Sequence, residues 1–200
     1  MEATAEQLDA LQELINIGVA QAANLLNEMV DSYIHLSIPI VKVLTDVEAY
    51  QELVSQYHQE CLASVKLSFT GSFSGSAGLI FPTNSASTLF AVLTGEQLDS
   101  AELDELKIGT LSEVGNIIIN GVMGSLSNVL MQHLNYSLPI YLDDTIENLL
   151  SAYEDNATII LAQTKFTSEK LEIIGALILI FYLGTFNALI NAIDEKIALI

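Results

Sequence analysis

Two carboxylate–carboxamide pairs are the residues of this chain whose types and spacing could do chemistry. Glu13 and Asn16 stand three residues apart in LDALQELINIGVAQAANLLNEM, and Glu113 and Asn116 repeat that spacing one hundred residues later in IGTLSEVGNIIINGVMGSLSNV. Residues at i and i+3 of a helix share one face, so each pair would present its two side chains together. A carboxylate accepts hydrogen bonds, and a carboxamide both donates and accepts them without adding charge. One such pair alone reads as an ordinary solvated helix face. Recurrence at matched spacing favours function, because helix packing does not require asparagine, a mediocre helix former, at one site twice.

The repeat extends beyond the pairs. Leu11/Leu111, Ile17/Ile117, Leu26/Leu126, Ser37/Ser137, Pro39/Pro139 and Ile40/Ile140 fall into register without a gap. The chain therefore reads as one domain over 1–200 built from two duplicated halves, about 1–100 and 101–200. Apolar positions spaced three and four apart predict an amphipathic helix over 5–30, and the second copy predicts one over 108–133. Ile34–Val43 reads as an edge strand, the place where the missing amide of Pro39 is tolerated, and Tyr136–Leu142 is its counterpart around Pro139. Short helices follow at 46–57 and 146–152. Cys61–Thr70 with Ser74–Phe81, and Ala157–Phe166 with Leu171–Tyr182, read as hairpins. A helix begins after Pro82 and stops at Gly95, an acidic connector covers 96–106, and a last helix starts near Thr185. Hairpins imply antiparallel pairing, so the fold class is α+β rather than doubly wound.

Composition excludes several functions. With 25 acidic and 6 basic residues the formal net charge is −19, a surface that repels phosphate backbones and anionic lipid, so neither nucleic acid nor a membrane surface is an expected partner. The uncharged run from Ile173 to Ile193 is long enough to span a bilayer. Gly184, Thr185, Asn187 and Asn191 interrupt it, and its flanks carry Glu172 and Asp194-Glu195 without an anchor pattern. A buried strand followed by a packed helix explains the same letters. The acidic, polar start is no signal peptide, and a cytoplasmic protein is expected. There is no glycine-rich phosphate loop, HExxH or CxxC. His35, His58 and His133 are scattered and are assigned no metal. Cys61 reads as a small core residue, and Asp143-Asp144 as a helix N-cap rather than a cation site.

At the paired residues the sequence resembles the CheC family, phosphatases of chemotaxis response regulators related to CheX and FliY. The family pattern is Asp or Ser, three residues, Glu, two residues, Asn, twenty-two residues, Pro. The first copy matches with Asp9, Glu13, Asn16 and Pro39; the second matches with Glu113, Asn116 and Pro139 but carries Gly109 at the Asp or Ser position. The resemblance implies a pseudo-twofold α/β layer structure, with two long motif helices side by side and exposed over a continuous, mainly antiparallel sheet. It implies that the substrate is the aspartyl phosphate of a CheY-like regulator, which holds its own Mg²⁺, so that this chain needs no cofactor or metal. Asn16 and Asn116 would orient the attacking water in line with phosphorus. Glu13 and Glu113 would dock on the regulator's active-site lysine. A second partner implied is CheD, a receptor-modifying deamidase bound through another surface.

A rival reading keeps the same helices as a binding module that captures phosphorylated regulator or CheD without turnover. Retention of both amides favours catalysis, because binding alone has no need of asparagine twice. A glycosidase using Glu13 and Glu113 is a poor fit to exposed motifs in a chain with no tryptophan. Against an acidic regulator the −19 charge makes steering repulsive, so rates should rise with added salt.

Overall fold

The computed structural model describes residues 3–29, 34–58, 60–95, 101–151, 157–168 and 171–198. Helix α1 (Ala5–Met29) buries Leu11, Leu14, Ile15, Gly18, Val19, Ala22 and Leu26, the single apolar stripe that its periodicity demands. Helix α4 (Ala101–Val129) buries the residues one hundred positions on: Leu111, Val114, Gly115, Ile118, Ile119, Val122 and Leu126. The remaining elements of the first half are β1 (His35–Thr45), α2 (Asp46–Tyr57), β2 (Leu62–Gly71), β3 (Gly75–Pro82) and α3 (Thr83–Thr94). Those of the second are β4 (Leu134–Tyr136), β5 (Ile140–Asp144), α5 (Ile146–Ser151), β6 (Thr158–Ser168), β7 (Leu171–Phe181) and α6 (Thr185–Ile197).

The seven strands make one antiparallel sheet in the order β1-β6-β7-β3-β2-β4, with β5 also paired to β2. Each half gives its first strand to the other half's hairpin. β1 lies on β6, β4 and β5 lie on β2, and β3 meets β7 in the middle. The sheet has helices on both faces. Leu79, Leu177, Leu179 and Phe181 point toward α1, α3, α4 and α6, while Ile80, Ile178 and Ile180 point toward α2 and α5. Burial on both faces is why β7 reads LEIIGALILIF with scarcely a polar letter. The apolar run 173–193 is thus most of β7, a turn and the greater part of α6. No helix among the described residues is long and apolar enough to cross a membrane.

Pro39 sits where β1 changes parity. Ser37 pairs with Lys165 and Ile40 with Gln163, so Ile38 and Pro39 together oppose Thr164 alone. This bulge moves the core-facing set from Leu36 and Ile38 to Val41 and Val43. The second copy breaks in the same place. Its expected strand 136–142 is two strands, β4 and β5, on either side of Pro139. The Ser137 amide still bonds the Ser68 carbonyl at 2.9 Å.

Two further expectations shift. α4 begins at Ala101, so the predicted connector contributes the first turns of the helix from that residue on; exposed Asp104 and Glu105 suit a helix N-terminal end. Cys61 is exposed rather than a core residue, standing just outside β2 with its carbonyl bonded by the Thr83 hydroxyl at 2.7 Å. Gly95 ends α3 as expected, in the left-handed conformation at φ 74°.

Candidate functional site

The two motif helices lie against each other and run antiparallel. Gly18 packs on Gly121 and Val122, and the Ser125 hydroxyl donates to the Leu14 carbonyl at 2.7 Å. Stepping back along α1 from residue 18 to 14 therefore steps forward along α4 from 121 to 125. The approach is close because neither glycine has a side chain at the crossing: a Cβ on Gly18 would lie 2.5 Å from the Gly121 oxygen, and one on Gly121 would lie 2.6 Å from the Gly18 oxygen. Ser125 is buried, and its bond across the interface satisfies a hydroxyl that would otherwise be costly there. At the far end of α1, the Asn27 side chain bonds both the amide and the carbonyl of Ile34, at 2.6 and 2.8 Å, tying the helix to the start of β1.

All four predicted residues fall on the solvent side of this helix pair. Glu13 and Glu113 are exposed, and Asn16 and Asn116 are half-buried beside them. Each copy brings its own carboxylate and amide together. Asp9 is exposed on α1; Gly109 on α4 has nothing within 4 Å of where a Cβ would be.

The copies differ in their surroundings. The Asn120 side chain donates to the Asn116 oxygen at 2.7 Å, whereas Ala20 occupies the matching position of the first copy. Gln7 binds the Asp194 carboxylate at 2.7 and 3.0 Å and links α1 to α6, while Lys107, at the position of Gln7, bonds the Ser87 hydroxyl of α3 at 2.9 Å. A cleft of about 430 Å³ opens beside Glu113, walled by Leu26, Met29, Leu93, Leu106 and Val114. Asn120 was legible only as a second asparagine one turn beyond Asn116, a spacing that places both on one face.

The other candidates stay apart from this surface. His35, His58 and His133 are exposed and dispersed, and no three His, Cys, Asp or Glu side chains among the described residues are grouped to hold a metal ion. Asp143 accepts the Tyr141 hydroxyl at 2.9 Å, and Asp144 accepts the Thr145 amide and the Asn148 side chain at 2.8 and 2.7 Å, holding the entry to α5.

This fold is a known one. FliY of Thermotoga maritima overlays at a TM-score of 0.77 with 18% identity, covering 98% of this chain and 100% of that one. The FliM middle domain of H. pylori overlays at 0.65 with 14% identity, covering 94% and 99%. The chain thus has the architecture of FliY and of the FliM middle domain. Among curated proteins it is 28% identical over 139 residues to the CheY-P phosphatase CheC of Bacillus subtilis (strain 168). That match covers 67% of this chain and 65% of the length of CheC. No protein-family model matches the chain.

Proposed function

We propose that this protein hydrolyses the aspartyl phosphate of a CheY-like response regulator, with Asn16 and Asn116 orienting the attacking water and Glu13 and Glu113 docking each helix on the regulator. The observation that carries the reading is the presentation of two identical Glu–Asn pairs on the open side of adjacent helices. The 28% identity to CheC supports it. A protein substrate whose phosphoryl group lies in a recess is reached by a protruding helix, not by a pocket. An acyl phosphate has a good leaving group in its carboxylate, so the demand on the catalyst is modest. The water oxygen bonds to phosphorus as the phosphorus–carboxylate bond breaks, and holding that water in line supplies the rate. Mg²⁺ would come with the regulator, and no cofactor of this chain enters the reaction.

The test is the decay of a phosphorylated CheY-like regulator with and without the protein, beside the Asn16→Ala/Asn116→Ala double variant. The expected result is acceleration by the parent and a loss of about 10²-fold in the double variant with complex formation retained. Binding without any acceleration by the parent would refute the phosphatase and leave the same surface as an adaptor for the regulator or for a CheD-like deamidase.

A further inference from the structure

We infer that Asn120 is a positioning residue for Asn116, and that it makes the second copy the better-ordered and faster of the two sites; the inference rests on the phosphatase reading above. The geometry is a single 2.7 Å hydrogen bond from Asn120 Nδ2 to Asn116 Oδ1, between residues at i+4 and i on the exposed face of α4. The first copy has no equivalent. Ala20 stands where Asn120 would be, and no hydrogen bond reaches the Asn16 side chain among the described residues.

A carboxamide has two ends of nearly equal size and opposite hydrogen-bonding sense. Left alone on a helix surface it samples both orientations about its last torsion, and that torsion is broad. A water that must be held in one direction is served by only one of them. Asn120 donates to the oxygen, so Oδ1 is held along the helix toward residue 120 and the NH₂ end faces the opposite way. The second lone pair of Oδ1 stays free. Asn16 must adopt its working orientation only when the substrate arrives, and ordering one such side chain costs a factor of about two to ten. The copy with Gly109, the poorer match to the family pattern, is thus the copy with the braced amide.

The experiment separates the sites first. Asn16→Ala leaves only the second site and Asn116→Ala only the first. In the Asn16→Ala protein, adding Asn120→Ala should lower kcat about two- to tenfold with KM unchanged and with the melting temperature not lowered, because the residue is exposed. Asn120→Asp keeps the size of the side chain but can only accept, so it should turn the Asn116 carboxamide round and lower kcat at least as far as alanine does. In the Asn116→Ala protein, Ala20→Asn should raise kcat toward that of the second site. An Asn120→Ala rate equal to its parent, or an Asn120→Asp rate at or above its parent, would overturn the inference while the phosphatase reading stood. A parent protein with no phosphatase activity would overturn both.

Discussion

Alanine at Gly18 is a sharp probe of the contact that sets the two motif helices side by side. A Cβ there would lie 2.5 Å from both the Gly121 oxygen and the Val122 Cα, and 2.8 Å from the Gly121 carbonyl carbon. Those separations are about 1 Å inside ordinary van der Waals contact. The obstacles are backbone atoms of α4, which cannot swing aside as a side-chain end would; relief requires α1 or α4 to move as a body. Because α1 buries seven residues along the same stripe, that movement loosens many contacts, and the cost belongs at the upper end of overpacking penalties, about 3 kcal/mol. Against it stands a gain of about 1 kcal/mol in helix propensity. The net loss is about 2 kcal/mol, which for a chain of this length lowers Tm by roughly 4–8 °C. Gly124→Ala on α4 is the control. Nothing lies within 4 Å of its Cβ position, so propensity alone operates and Tm should rise by about 2–4 °C. Thermal melts followed by circular dichroism read both. A Gly18→Ala protein that melts at or above the parent would refute the close-contact argument.

Other outcomes follow from local chemistry. Thr45 caps α2 in a capping box: its hydroxyl accepts the Glu48 amide at 3.3 Å, and the Glu48 carboxylate accepts the Thr45 amide at 2.9 Å. Thr45→Ala should cost about 1 kcal/mol by urea denaturation at neutral pH. The Thr45 backbone amide, then its hydroxyl, hold the Glu48 carboxyl below its ordinary value. That contribution is present above the ordinary value and is lost as pH falls through the lowered one, so the effect of Thr45→Ala should shrink in acid; an equal effect at pH 7 and pH 3 would contradict this. Burial pushes the Tyr57 phenol up, with its side chain packed between α2 and the sheet. Its contribution is full below the ordinary value near 10 and is lost as pH rises above it, at about 1.4 kcal/mol per pH unit. Tyr57→Phe should therefore show a shallower alkaline loss of stability than the parent, and identical slopes above pH 10 would refute the assignment.

Much of the architecture was legible because it is written locally. The three-and-four spacing of apolar residues picks out α1 and the body of α4, Gly95 marks the end of α3, and the turns separate the strands of each hairpin. The Glu–Asn pairs were legible for a related reason. A helix places i and i+3 on one face whatever else the chain does, so two copies at equal spacing identify two equivalent surfaces before any packing is known. The start of α4 was misjudged because DSAELDEL has the polarity of a connector, and its acidic residues are those a helix N-terminal end accepts. Cys61 was misjudged because a small apolar residue beside a strand has no local signal for which side of the strand's end it occupies.

What the sequence determined by itself is the set of elements, their buried faces and the chemistry of the paired side chains, since each depends on neighbours within a turn or two. Tertiary structure alone decided what each face meets. Periodicity states that Leu36 and Ile38 are turned inward, but not that Val41 joins them past the bulge, nor that β1 pairs with β6 of the other half, nor that Ile38 and Pro39 share one partner between them. Those choices depend on contacts more than a hundred residues apart. The glycine crossing of α1 on α4, the Ser125–Leu14 bond and the cleft beside Glu113 arise in the same way. The two Glu–Asn pairs match in the sequence, and the fold sets them in unequal company because the residues packed around them do not repeat.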